Sequence, residues 1–161
     1  DLKWTRHNPP KKYFLPELSS NVPFVLELMG ALPRVIVDDV KIDKLDKSTV
    51  RIQAVIKNDG YLPTYVTEKA LEIGMAKPVR AWIEIEQGEI VGSNEIEIGH
   101  LDGRSTHGDI QGRTGYNIYW HPLPRFEKKV EWVVSSLTDT LKGQILAGTP
   151  RAGFYRYSIE P

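Results

Sequence analysis

Within ten positions this chain places His100, Asp102, His107 and Asp109, the side chains best suited to chemistry. Imidazole and carboxylate are ordinary ligands for zinc or calcium, so the four are candidate metal ligands of a small metal-dependent hydrolase. Their spacing follows neither one helix face nor one strand face, and no His-Glu-x-x-His pair accompanies them. Ser105, His107 and Asp109 can be written as a Ser-His-Asp triad, but the Gly-x-Ser-x-Gly turn that presents a nucleophile is missing. The glycines from Gly99 to Gly115 form no Gly-x-Gly-x-x-Gly run and lead into no helical pattern, which argues against a phosphate cradle. Two carboxylate pairs have plain readings: Glu95 and Glu97 as a solvated strand face, Asp38 and Asp39 as a strand irregularity. The residues therefore assign this chain no catalytic group and no cofactor of its own.

Aromatic side chains offer a second chemistry. Tyr116, Tyr119 and Trp120 cluster ahead of His121-Pro122, and Trp82 lies on the polar face of its segment. Exposed aromatics on a β framework stack on sugar rings or on a partner protein. A glycan- or peptide-binding module is thus an alternative reading. A lone outward Trp is usually covered, so Trp82 is expected to meet the N-terminal helix or a neighbouring domain.

The elements that must hold these residues are mostly strands. From Thr49 to Gly60 apolar Val50, Ile52, Ala54 and Ile56 alternate with Arg51, Gln53, Val55 and Lys57, and Asn58-Asp59-Gly60 closes the run. That pattern predicts a half-buried antiparallel strand. Val35 to Leu45 predicts another, with a change of face around Asp38-Asp39 that marks a bulge. Val79 to Glu86, Glu89 to Ile98, Lys128 to Ser135, Gln144 to Gly148 and Phe154 to Ile159 complete the set. Glu86-Gln87-Gly88-Glu89 reads as a hairpin turn, and Thr67 to Ile73 as a one-turn helical link. About seven strands punctuated by turns predict a mainly β chain, an immunoglobulin- or fibronectin-like antiparallel sandwich. Between them, Gly99 to Arg125 is a long, glycine-rich stretch of the kind that carries function or lacks order.

One helix precedes the strands. Leu18, Val22, Val25, Met29 and Leu32 recur at helical spacing, with Asn21 as the expected N-cap ahead of Pro23 and Pro33 as the stop. Phe24, Leu26, Leu28 and Ala31 fill its other faces, and Glu27 is the only charge from Phe24 to Leu32. A helix apolar on most faces requires burial on most faces, and one sandwich covers only one side. Its other side is expected to meet a larger body; the alternative is a helix laid in a groove of its own domain.

Composition limits the partners. The 161 residues carry 21 basic and 21 acidic side chains without a block of either sign, which argues against a nucleic-acid surface. No cysteine is present, so disulfides and thiolate chemistry are excluded. No apolar run reaches the roughly 20 residues of a membrane span. The sequence opens at Asp1 with no recognisable leader, as expected of a mature form or an excised piece.

Several runs together resemble a known family. Asn8-Pro9-Pro10, Phe14-Leu15-Pro16-Glu17-Leu18, Phe24-Val25-Leu26-Glu27-Leu28 and Leu32-Pro33 are similar to the end of the catalytic domain of bacterial zinc carboxypeptidase-like proteins of the carboxypeptidase A type. Val55 to Thr64, Lys77-Pro78-Val79, Gly99-His100-Leu101-Asp102-Gly103 and Ala152-Gly153 resemble the β-sandwich appended to many of them. The most specific part is Asn58-Asp59-Gly60-Tyr61-Leu62-Pro63-Thr64. The resemblance implies that residues 1–34 close a peptidase domain and that 35–161 form a β-sandwich accessory domain. It implies a partner in the upstream catalytic domain, through candidates such as Phe24, Leu28 and Trp82, and a periplasmic or extracellular setting. The family's zinc ligands, a His-x-x-Glu pair and a later His, would lie upstream; none of His7, His100, His107 or His121 is followed by Glu at the third position. No catalytic residue of the family maps onto this chain.

Overall fold

The computed structural model describes residues 10–65, 67–105, 125–136 and 141–160. The chain divides at Leu32/Pro33 into two compact units. The first holds a short 3-10 turn, Lys11–Tyr13, running into helix α1, Phe14–Gly30. The second contains eight strands among the described residues: β1 Val35–Lys44, β2 Thr49–Asn58, β3 Val79–Ile85, β4 Glu89–Val91, β5 Glu95–Gly99, β6 Glu127–Ser135, β7 Gly143–Thr149 and β8 Gly153–Ile159. A one-turn helix, α2 (Glu68–Glu72), follows Thr67, whose hydroxyl accepts from the Ala70 amide.

Helix α1 starts earlier than the apolar spacing predicts, and Asn21 is not its N-cap. Pro16 occupies the third helical position, where a missing N–H costs nothing because first-turn amides have no intrahelical acceptor. Asn21 instead donates its side-chain amide to the Glu17 carbonyl at 2.7 Å, and Ser20 donates its hydroxyl to the same oxygen at 2.9 Å. Pro23 therefore lies inside the helix and leaves the Ser19 carbonyl without its usual donor. No residue of α1 is buried; Phe24 is 65% exposed and Leu28 52%. No helix among the described residues is long and apolar enough to cross a membrane.

The strands form two antiparallel sheets, ordered β1-β2-β6-β4 and β5-β3-β7-β8. Strands one, two and six against three, seven and eight is the arrangement of an immunoglobulin- or fibronectin-like sandwich. The expected alternation decides what lies inside. Ile52 pairs with Trp132 and Ala54 with Val130 in one sheet; Ala81 pairs with Ala147 and Ile83 with Ile145 in the other, and all eight side chains are buried. Each large member contributes roughly 1.5–3 kcal/mol by leaving water. β1 does carry the bulge: its register slips between Asp38 and Lys41, and Asp39 adopts φ 42°, a conformation that Asp tolerates better than most residues.

Two expectations fail at the centre of the chain. Glu86 to Glu89 is no hairpin, because β3 belongs to one sheet while β4 pairs with β6 in the other. Glu89 to Ile98 is also two strands, not one. The Gly92-Ser93-Asn94 turn returns the chain to the sheet of β3, where β5 pairs with β3. Alternation reports which side chains face inward, but both sheets share that interior, so a strand that changes sheet keeps the same pattern.

Candidate functional site

The described polar groups that converge most densely do so at one end of the sandwich. There the turn after β2, the loop after β5 and the entry to β6 meet the residue before β1. Asn58 ends β2 and is 4% exposed. Its Oδ1 accepts from the amides of Arg34 at 2.9 Å and Gly60 at 3.0 Å. Its Nδ2 donates to the carbonyls of Leu62 at 2.9 Å and Asp102 at 3.0 Å. That is the full hydrogen-bonding capacity of a carboxamide, all of it spent on main chain. Next to it the Asp59 carboxylate accepts from the guanidinium groups of both Arg34 and Arg104. Those two cations hold its pKa below the ordinary carboxylate range, Arg34 contributing most.

Thr64 pins the β5 loop from the other side. Its hydroxyl oxygen accepts from the Leu101 amide at 3.0 Å, and its own amide donates to the Leu101 carbonyl at 3.0 Å. Gly103 then passes so close to the loop after β2 that a β-carbon would overlap the Tyr61 carbonyl. Two runs that lie some forty residues apart, Asn58 to Thr64 and Gly99 to Gly103, thus interlock as one clasp.

His100 and Asp102, half of the proposed metal quartet, meet inside this clasp. His100 Nε2 lies 3.3 Å from Asp102 Oδ1, and Nδ1 lies 3.2 Å from the Thr64 hydroxyl. Tyr65 covers the ring at 4.1 Å between centroids. Asp102 uses its other oxygen to accept the Arg125 amide at 2.6 Å. Hydroxyl, imidazole and carboxylate in series have the composition of a nucleophile triad. The environment is wrong for one. Thr64 is 2% exposed and its oxygen is occupied by the Leu101 amide, so no substrate carbonyl reaches it. As for a cation, both ring nitrogens and both Asp102 oxygens already have partners, and no third His, Cys, Asp or Glu joins them among the described residues. His107 and Asp109 lie outside the described residues, as do Tyr116, Tyr119 and Trp120.

The remaining candidates separate. Phe24 and Leu28 stand exposed on α1. Trp82 sits on the outer face of β3 and meets Phe154 of β8 edge to face, centroids 5.9 Å apart. Glu95 and Glu97 are more than a solvated face: both bind Arg80, at 2.9 and 3.2 Å. Arg34, Thr64 and Arg104 carry none of the usual signs of a site in the sequence. Their one signal was Asn58-Asp59-Gly60, which announces a turn without announcing what the turn grips.

With this geometry in hand, comparison with known proteins adds a family. The model of a family described as "Domain of unknown function (DUF8731)" matches residues 34–160, and the chain belongs to that family. No curated protein matches the chain. The matched span opens at Arg34, the residue whose amide and guanidinium both enter the clasp.

Proposed function

We propose that this chain is the C-terminal accessory part of a zinc metallocarboxypeptidase-like protein, a non-catalytic β-sandwich that stabilises or flanks an upstream peptidase domain. One observation carries the reading: α1 exposes Phe14, Leu15, Leu18, Val22, Phe24, Leu26, Leu28 and Met29 over more than half of its circumference. An amphipathic helix of a finished domain turns its apolar face inward, whereas here the wide apolar face opposite Ser19, Ser20 and Glu27 is exposed. The clasp supports the same reading. Its residues are those of the run most similar to the appended sandwich, and each is consumed in holding loops together.

On this reading the parent removes C-terminal residues from peptides with a zinc-activated water, and the zinc ligands belong to the upstream domain. The sandwich supplies a rigid body, and α1 closes the peptidase core. Sequencing the reading frame upstream of Asp1, combined with a peptidase assay of this chain with added zinc, tests it. A His-x-x-Glu pair and a later His upstream, with no turnover by the chain alone, is the expected result. Turnover by the purified chain, or an upstream frame without those ligands, overturns it.

A further inference from the structure

The outer face of the sheet β5-β3-β7-β8 holds a groove of about 530 Å³ that the clasp does not use. Trp82, half-buried, and Phe154, 59% exposed, form its apolar side. Arg80, Glu95 and Asn94 form its polar side. Arg80 pairs with Glu95 at 2.9 Å and with neighbouring Glu97 at 3.2 Å, which sets donors and acceptors side by side. Gly148 makes the arrangement possible. It lies opposite both Arg80 and Phe154 in the ladder, and a β-carbon there would come within 2.8 Å of Phe154 Cδ1. Phe154 therefore leans across the bare strand onto Trp82.

We propose that this groove binds an uncharged glycan, a chain of neutral hexose rings. Three features select that chemistry. Lys77 and Arg80 are offset by Glu95 and Glu97, so neither a polyanion nor a polycation finds a complementary field. β3 and β7, which form the floor, are each paired on both sides, so the floor itself offers no backbone edge to an extended peptide. What remains is an apolar aromatic wall beside paired donors and acceptors, which suits a ring with C–H faces and hydroxyl rims. This inference does not depend on an upstream peptidase domain.

Cellohexaose, chitohexaose and maltohexaose, titrated separately into the full 161-residue chain and followed by amide chemical shifts, test it. At least one is expected to bind with shifts confined to residues around 80–82, 94–95, 148 and 154. Phe154→Ala, at an exposed position, is expected to weaken it about tenfold while leaving thermal unfolding within a few degrees; Trp82→Ala should weaken it at least as much. The proposal is overturned if none of the three shifts any amide at about 10 mM, if the shifts map elsewhere, or if Phe154→Ala leaves affinity unchanged.

Discussion

Asn58 bonds through its carboxamide only to main chain and ties three segments of the clasp together. Replacing it with Ala strips partners from four main-chain groups on three segments. A buried group left unsatisfied costs about 1–3 kcal/mol, and water can reach some of these, so Asn58→Ala should lose about 3 kcal/mol in urea unfolding. A loss under about 1 kcal/mol would mean the loops hold without it. Gly103→Ala tests the same clasp by crowding, since Tyr61 and Leu62 backbone must move to admit a methyl group; about 1–3 kcal/mol is expected. Asp59 adds a pH dependence with a definite sign. Its carboxyl titrates lower in the folded chain than unfolded, so its stabilisation is complete above about pH 4 and fades as pH falls through the lowered folded value. Both arginines are largely exposed, which keeps the contribution near about 1 kcal/mol. Asp59→Asn should therefore unfold at lower urea than the parent sequence at pH 7, with the gap closing in more acidic buffer; a constant gap would contradict the pairing.

At the scale of elements, strand alternation was legible because burial on one face imposes it. Thr49 to Gly60 and Val79 to Glu86 appear where their patterns put them, and the Asp38-Asp39 irregularity is a bulge. Sheet membership was not legible, as the division of Glu89 to Ile98 shows, because long-range pairing leaves no local trace. Nor was the start of α1: apolar spacing put Pro23 in the first turn, whereas the helix begins at Phe14 and carries Pro16 there. Of the candidate site, His100 and Asp102 were visible by type, but their grip on Thr64 and Arg125 depends on loops brought together by the fold. Pro23 gives the element-level test. A proline inside a helix costs about 3 kcal/mol, so Pro23→Ala should slow amide exchange across Phe14–Gly30; unchanged exchange would place that segment's limit elsewhere.

For the whole molecule, the proposed division of labour is support behind and chemistry in front. The sandwich core is built from side chains such as Ile52, Ile56, Ile83 and Ile145, all fully enclosed, whereas α1 presents its apolar side chains to water. Such a surface is stable in a finished protein only when something covers it. Amide exchange of residues 14–30, compared between this chain and the full polypeptide from its own start codon, reads that cover directly. Protection of α1 should rise by about a hundredfold or more in the full polypeptide, as for a helix sealed into a core, while strands β2, β3, β6 and β7 change little. Equal exchange of α1 in both proteins would contradict the central claim, leaving the helix with no upstream body to close.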